Sequence, residues 1–273
     1  MAQKLDITVV EKPWGKATLP PIFADVVGDK IGEIWYQGTP GQDLPLLVKY
    51  IFTSERLSIQ VHPSDQEAQA SGLPKGKEEA WYILDCEPDA RLGIGLVREL
   101  TPEAFRAAAM DGSLEDLIDW KPVKPGDCYF IPAGTVHAIG AGITLAEVQQ
   151  NADITYRIYD YGRPRELHLD QGLAVSHLTP YTLPPTCAAP TQAAALVSDV
   201  AAPFWLDLAV WQAGQDVTLP QEDRIWFTPL RGSGRIDGAP WEPGQCWLLD
   251  RDTKLTADVA ASGLLAGERA NAA

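Results

Sequence analysis

A histidine on a tightly turned β-segment is the residue around which the chemistry of this sequence is organised. The segment is PGDCYFIPAGTVHAIG, residues 125–140, and its spacing is Gly126, five residues, Pro132, one residue, Gly134, two residues and His137. The Tyr-Phe-Ile run predicts a strand that Pro132 and Gly134 end with a tight turn. Because the chain then returns to extended structure, His137 is held on a stiff hairpin, which suits a metal ligand.

Further candidate ligands lie on two other predicted strands. In LSIQVHP, Gln60 and His62 are two residues apart, so both side chains point to one face of the strand. Glu79 lies on the strand that follows. Two imidazoles, one carboxylate and one amide oxygen suit a divalent ion of borderline softness, with zinc as the first choice. Two histidines and a carboxylate also describe non-haem Fe(II) sites, so the donor set leaves iron open.

The segments that must position these residues are short and extended. ITVVEKPWG, IGEIWYQG and LPLLVKYIF are rich in Val, Ile, Trp and Tyr and are separated by Gly and Pro, which predicts strands. GKEEAWYILDC continues the series with Glu79 and Trp81 on one face, and RLGIGL (residues 91–96) is expected to pair back against it. Lys49, in the third run, is a candidate to point inward near Gln60.

Three segments break the β pattern. Ser64 followed by Glu67 is a capping box and predicts a short helix. Residues 101–119 predict a helical excursion between two strands, with Thr101 as its N-cap. Residues 163–178 are also predicted to be helical and to end the first domain.

The predicted organisation is two β-domains joined by a linker. Residues 1–178 form the catalytic domain, the Pro/Thr/Ala-rich residues 179–192 form the linker, and residues 193–273 form the second domain. In that domain EPGQCWLLDRDTKL aligns with KPGDCYFIPAGTVH, but Leu255 stands at the place of His137. We therefore interpret it as a degenerate copy of the same barrel unit, without metal ligands.

Composition excludes several classes of partner. The chain has 273 residues and a formal net charge of −15, so nucleic acid and anionic membranes should repel it. An anionic substrate would need a local cluster of Lys and Arg. The cysteines are scattered and form no CxxC pair, which argues against a disulfide framework or a zinc ribbon. The N-terminus has no secretory signal and no apolar run approaches membrane-spanning length, so a cytoplasmic location is predicted.

Two levels of resemblance to known families follow from these motifs. The spacing G-x5-P-x-G-x2-H resembles the second motif of the cupin superfamily, whose members are double-sheet β-barrels of jelly-roll type. The blocks LSIQVHPSD, GKEEAWYILD, IPAGTVHAIG and AEVQQNADITYRIYDYG together resemble the type I mannose-6-phosphate isomerases of the short bacterial kind. The resemblance covers residues 5–178 well and the remainder loosely. It implies a mainly β protein of two jelly-roll (cupin) β-barrel domains, with a short helical excursion in the first.

The same resemblance implies roles for the site residues. The zinc ligands that it implies are those already proposed from spacing, Gln60, His62, Glu79 and His137. It implies that Arg157 is the active-site arginine, that Lys77 lies in the same pocket and that Glu147 lines the substrate site. Lys49 and Lys77 are candidate phosphate partners. Larger members carry His-Lys-Pro-Glu before the glutamate ligand, whereas this chain reads Gly-Lys-Glu-Glu and has no counterpart of that histidine.

The implied reaction is the interconversion of mannose 6-phosphate and fructose 6-phosphate through a cis-enediol. A Lewis-acidic ion would stabilise the negative oxygen, and either Glu147 or a metal-bound water would move the proton. Arg157 would stabilise the enediolate or hold the phosphate. Two other functions compete with this one, a cupin oxygenase that uses Fe(II) and dioxygen, and a sugar-phosphate-binding regulator without turnover. The sequence does not predict the oligomeric state.

Overall fold

The computed structural model describes residues 2–199 and 201–269, and within them the chain is mainly β, as predicted. The strands of the first part are β1 (Gln3–Lys4), β2 (Asp6–Lys16), β3 (Ile31–Gln37), β4 (Leu46–Phe52), β5 (Ile59–Val61), β6 (Glu79–Cys86), β7 (Arg91–Leu96), β8 (Ile118–Pro122), β9 (Asp127–Ile131), β10 (His137–Ile139), β11 (Ile143–Gln150), β12 (Tyr156–Tyr159) and β13 (Thr186–Cys187). The later strands are β14 (Ala194–Val197), β15 (Phe204–Trp211), β16 (Asp216–Val217), β17 (Ile225–Arg231), β18 (Gly234–Ile236), β19 (Ala239–Trp241), β20 (Trp247–Leu249), β21 (Leu255–Ala257) and β22 (Ala261–Glu268). The helices are a 3₁₀ turn (Pro21–Phe23), α1 (Asp65–Ala70), α2 (Pro102–Asp111), α3 (Leu114–Leu117) and α4 (Leu169–Val175).

Local capping explains where the first helices begin. The Ser64 side chain accepts a hydrogen bond from the Glu67 backbone N–H, and the Glu67 side chain accepts one from the Ser64 N–H, so the predicted capping box opens α1. Thr101 caps α2 through the Ala104 N–H, and Gly112 ends that helix in the left-handed conformation. The helical excursion predicted between two strands is therefore confirmed.

The helix predicted over residues 163–178 is shorter than expected, because only Leu169–Val175 is helical. The residues before it are held beside β12 instead. His168 donates its backbone N–H to the Arg157 carbonyl at 2.7 Å, and Arg165 forms two contacts with the Asp160 carboxylate. These tertiary contacts keep the segment extended against its local helical preference.

The seven-stranded sheet, in the order β13-β9-β6-β11-β4-β3-β2, lies between two others. One face packs against the six-stranded sheet β1-β20-β17-β22-β15-β14, and the other packs against the five-stranded sheet β12-β5-β10-β7-β8. The four-stranded sheet β16-β21-β18-β19 covers the far face of the six-stranded sheet. Each sheet ends in two edge strands within the described residues, so the predicted barrels are not observed as closed sheets.

Alternation along the strands decides which side chains reach the site. In β4, Val48 and Tyr50 join the core shared with the six-stranded sheet, whereas Lys49 points to the opposite face. In β6, Tyr82 joins the shared core, while Trp81 packs with the five-stranded sheet. The polar side chains of the seven-stranded sheet are thus collected on the face that meets the five-stranded sheet.

The expected pairing of residues 91–96 with the preceding strand is wrong. β7 pairs with β8 and β10 in the five-stranded sheet, whereas β6 pairs with β9 and β11. Because both edges of β6 are occupied, the chain crosses to the facing sheet after β6. This crossover places β10, which carries His137, opposite β6, which carries Glu79.

The segment predicted to be a linker runs along the seven-stranded sheet. Thr186 and Cys187 form β13 and pair with β9, and the Tyr181 hydroxyl donates a hydrogen bond to the Phe130 carbonyl at 2.6 Å. At the other end of the chain, Gln3–Lys4 pairs with β20 of the later sheet. The two halves are therefore joined by strand pairing as well as by packing, and the domain division stays a prediction.

We expect Phe204→Ala to lower the free energy of unfolding by about 3–5 kcal/mol, because it removes a large side chain from a closed core. Phe204 is fully buried and contacts Phe130 edge-to-face across the two sheets, with ring centroids 6.0 Å apart. Urea unfolding followed by circular dichroism measures the change. Val27→Ala is the control, since Val27 is 90% exposed and should shift the value by no more than about 0.5 kcal/mol. Equal stabilities for the two variants would contradict the shared core.

Candidate metal centre

Strand register brings three of the predicted site residues side by side on the five-stranded sheet. His137 in β10 is directly opposite Gln60 in β5, and Gln60 is directly opposite Arg157 in β12. Directly paired residues of an antiparallel sheet project to the same face, so their side chains meet. All three project toward the seven-stranded sheet, where Glu79 lies at the start of β6.

The ligand atoms of His62, Glu79 and His137 all lie within 4.8 Å of one another, and all three residues are buried. His62 Nε2 is 3.5 Å from Glu79 Oε2, and His137 Nε2 is 3.3 Å from Glu79 Oε1. Gln60 Nε2 lies 3.3 Å from His137 Nε2. A half-turn of the Gln60 amide would exchange its nitrogen and oxygen and bring the oxygen to this position. The structure thus brings all four predicted ligands together.

Backbone carbonyls orient both imidazoles. His62 Nδ1 lies 2.7 Å from the Ile154 carbonyl oxygen, and His137 Nδ1 lies 2.8 Å from the Thr135 carbonyl oxygen. A carbonyl accepts only, so Nδ1 carries the proton in each ring and the Nε2 lone pair faces Glu79. Burial lowers the pKa of His62 to about 3 and also lowers the pKa of His137. Both rings are therefore neutral near pH 7, the form that binds metals.

Glu79 is a buried anion that lacks a hydrogen-bond donor. Burial by itself would raise the pKa of Glu79, but the Lys77 ammonium holds it well below the ordinary value. Lys77 Nζ is 2.7 Å from Glu79 Oε2, yet within residues 2–199 and 201–269 neither carboxylate oxygen accepts a well-formed hydrogen bond. A buried carboxylate with open lone pairs beside two neutral imidazoles is a donor set that fits a divalent metal ion.

A second polar cluster surrounds Glu147. Lys49 Nζ lies 3.2 Å from Glu147 Oε1, and Trp81 Nε1 donates a hydrogen bond to Glu147 Oε2 at 3.0 Å. Lys49 also lies 3.8 Å from Glu33 and 4.6 Å above the ring of Trp35. Burial raises the pKa of Glu147 despite the nearby Lys49 ammonium. A carboxyl group held by two donors with a raised pKa is suited to general acid–base work.

Both clusters open into one cavity of about 280 Å³. Its cationic lining residues are Lys12, Lys49, Lys77, Arg157 and Arg165, and its acidic ones are Glu33, Glu79, Glu147 and Asp153. Cations outnumber acids here, although the whole chain has a net charge of −15. This is the local basic cluster that an anionic substrate requires. A larger groove of about 710 Å³ beside Arg56 and Trp120 contains none of the predicted site residues.

Comparisons with known proteins agree with this geometry. A comparison with models of protein families finds no match. The chain is 30% identical over 270 residues to the mannose-6-phosphate isomerase of Streptococcus mutans serotype c, covering 83% of this chain and 84% of the relative. The chain belongs to the mannose-6-phosphate isomerase family.

Two further comparisons concern part of the chain and its fold. The chain is 40% identical over 161 residues to mannose-6-phosphate isomerase ManA of Bacillus subtilis, covering 54% of this chain and 51% of the relative. It thus spans about half the length of that curated relative. The crystal structure of the mannose 6-phosphate isomerase from Bacillus subtilis superposes with a TM-score of 0.80 at 24% identity, over 97% of this chain and 98% of that one, which shows a shared fold.

Sequence reasoning missed several residues of this family member's cavity. Lys12, Glu33, Trp35 and Arg165 line it but were not singled out. Glu33 and Trp35 are two residues apart in IGEIWYQG and so point to the same face of the strand, and Trp35 lies directly opposite Lys49 in the sheet. The alternation of side chains along a strand would therefore have placed both on the face of the site. Arg165 has no comparable signal because it lies outside a strand.

No helix in the described part of the chain is long and apolar enough to cross a membrane.

We expect purified wild-type protein to carry about one divalent ion per chain and His137→Ala to lose it. The substitution removes a buried, oriented nitrogen donor from the cluster. Elemental analysis after gel filtration measures the metal content. His177→Ala is the matched control, because His177 is exposed and lies outside the cavity. Equal metal content in the two variants would remove His137 from the ligand set.

Proposed function

We propose that this protein is a zinc-dependent aldose–ketose isomerase that interconverts mannose 6-phosphate and fructose 6-phosphate. The observation that carries the proposal is the convergence of two neutral imidazoles on a buried anionic carboxylate that lines a cavity rich in cations. The names of the related proteins in two bacteria support the same activity. Gln60, His62, Glu79 and His137 would hold the zinc ion.

The reaction moves a proton from C2 to C1 of the open-chain sugar by way of a cis-enediol, while hydroxyl and carbonyl groups exchange places. The bound zinc ion would supply Lewis acidity at the oxygen that becomes negative. The residues of the chain must do the rest, namely bind the sugar, exclude water and carry the proton. The buried walls of the cavity strengthen each of these electrostatic interactions.

Glu147 is the group that we propose for proton transfer. Trp81 and Lys49 fix its carboxylate by contact with one oxygen each, and burial raises its pKa toward the working range of an acid–base catalyst. Such a group contributes about 10²–10⁴-fold to a rate. Lys77 lies on the same wall, and its ammonium can donate to the substrate oxygens as charge develops on them.

Arg157, Lys49 and Lys77 are the cations that we propose for binding the substrate, the arginine through its anionic group and the two lysines through its sugar oxygens. Arg157 lies beside the ligand Gln60 in the sheet, which places its guanidinium within the substrate cavity. Its Nη1 donates to the Glu166 carbonyl at 2.7 Å, while its Nε is buried and has no partner among the described residues. Because that carbonyl carries no net charge, the positive charge of the guanidinium stays available to an anion in the cavity.

The finer description of the fold belongs to the same proposal. We propose that residues 1–178 form a catalytic jelly-roll (cupin) domain and residues 193–273 a degenerate second one without metal ligands. Gly126 and Gly244, which the sequence alignment matches, both have positive φ, at 93° and 85°, and each precedes a strand. We also propose a cytoplasmic location.

Removing the metal should abolish isomerisation, and restoring zinc should recover it. The measurement is formation of fructose 6-phosphate from mannose 6-phosphate in a coupled assay, before chelation, after chelation and after addition of zinc. The same assay run without dioxygen is the control against a cupin oxygenase, since isomerisation consumes no oxidant. Activity that persists without metal, or that requires dioxygen, would refute the proposed function.

We expect Arg157→Ala to keep its metal and to lose kcat/KM for mannose 6-phosphate by a factor on the order of 10²–10³, the usual cost of removing a preorganised charged donor. Metal analysis and steady-state kinetics on one preparation separate the two effects. Arg98→Ala is the matched control because Arg98 is exposed and lies outside the cavity. If the Arg157 variant turned over at the wild-type rate, the role proposed for Arg157 would be wrong.

A further inference from the structure

The five cations of the cavity differ in how far they are buried. Lys49 and Lys77 are almost entirely enclosed, with side chains 8% exposed, whereas the Arg165 side chain is 25% exposed and that of Lys12 is 31% exposed. Arg157 is also partly exposed. The cavity therefore has a deep end beside the metal ligands and an outer wall that carries arginines.

The charges of the deep end are already balanced. Lys77 Nζ is 2.7 Å from the Glu79 carboxylate, and Lys49 Nζ is 3.2 Å from that of Glu147. An anion that approached either ammonium would also meet a buried carboxylate at close range, which opposes binding. The phosphate of a sugar phosphate is dianionic near neutral pH, so it needs cations that are not neutralised inside the cavity.

The outer wall offers such cations. Arg165 binds the Asp160 carboxylate through one edge of its guanidinium, with Nε at 2.5 Å and Nη2 at 2.8 Å, and Asp160 is not part of the cavity lining. No hydrogen bond from Arg165 Nη1 is found among the described residues, so the opposite edge stays open. Arg157 lines the same cavity, and its Nη1 donates to the uncharged Glu166 carbonyl rather than to a carboxylate, so this contact does not neutralise its charge.

The wall is held in place rather than loosely attached. After β12 the chain turns at Tyr161 and Gly162, both with positive φ, and returns beside Arg157. Backbone contacts between Arg157 and His168 close this loop at its base, and Asp160 fixes the plane of the Arg165 guanidinium by two-point contact. The open guanidinium edge of Arg165 on this fixed loop, with the Arg157 guanidinium on β12 lining the same cavity, matches the oxygens of a phosphate group.

We propose that Arg165 is a specificity-determining residue, which together with Arg157 binds the phosphate of the substrate at the outer wall of the cavity. This inference rests on the proposed isomerase function. In a hexose 6-phosphate the phosphate and the C1–C2 pair lie at opposite ends of the molecule. A phosphate bound at the outer wall therefore directs C1 and C2 toward the deep end, where Glu147 and the metal ligands lie.

The test is calorimetric binding of fructose 6-phosphate to the metal-loaded enzyme and its Arg165→Ala variant. Loss of one charge-assisted contact should raise the Kd by about 10- to 100-fold. In steady-state kinetics KM for mannose 6-phosphate should rise by a similar factor, with kcat changed by less than about threefold. A purely structural role of Arg165 would lower kcat or metal content instead.

Arg163→Ala is the matched control. Arg163 lies two residues away and also contacts Asp160, at 3.1 Å, but it does not line the cavity. Its Kd for fructose 6-phosphate should stay within about twofold of wild type, since no phosphate contact is removed. Arg165→Gln is a second variant that leaves a donor for Asp160 while removing the charge. If Arg165→Ala does not fold, the Kd of Arg165→Gln for fructose 6-phosphate tests the proposal instead.

Wild-type affinity in both Arg165 variants, or an equal loss in Arg163→Ala, would overturn the proposal. Because a calorimetric Kd reports binding of the sugar phosphate whether or not the two isomers interconvert, this result is distinguishable from failure of the isomerase function. Wild-type protein that bound fructose 6-phosphate through Arg165 but did not isomerise it would refute the function and support the phosphate contact.

Discussion

The buried carboxylate of Glu79 is the constraint on which the rest of the site depends. An anion enclosed between two β-sheets is costly unless cations or polar hydrogens face it. Here the Lys77 ammonium lies 2.7 Å from one oxygen, and the two imidazoles approach at 3.3 and 3.5 Å with nitrogen lone pairs, an arrangement that a divalent ion would stabilise. The residues that meet Glu79 must therefore be held accurately, and each lies in a strand or within two residues of one, His137 at the start of β10, His62 directly after β5 and Lys77 just before β6.

The two faces of the seven-stranded sheet have different roles, one in the site and one in the core. One face carries Lys49, Glu79 and Glu147 toward the cavity, and the other carries apolar residues such as Tyr50 and Tyr82 into a core shared with the later sheet. Because strand residues alternate between faces, each polar group of the site has an apolar neighbour that anchors the same backbone. Rigidity at the site is thus supplied by packing on the reverse side of the sheet.

Much of this arrangement could be predicted from the sequence because it rests on local rules. Strand parity placed Gln60 and His62 on one face, and the Pro132 to Gly134 turn placed His137 at the start of its strand. The predictions that were wrong depended on contacts between residues distant in the chain. β7 crosses to the facing sheet because both edges of β6 are occupied, and the segment before α4 is extended because Arg165 binds the Asp160 carboxylate. Arg165 lines the cavity only because that segment is extended.

The apolar core between the seven-stranded and six-stranded sheets gives the later half of the chain a purpose that does not involve chemistry. Tyr50, Tyr82 and Phe204 meet there with almost no solvent exposure. A shortened chain that ended before β14 would expose this face to water as a broad apolar patch, which would promote self-association. The later half of the chain therefore shields the back of the seven-stranded sheet from water, and its apolar side chains are sufficient for that role.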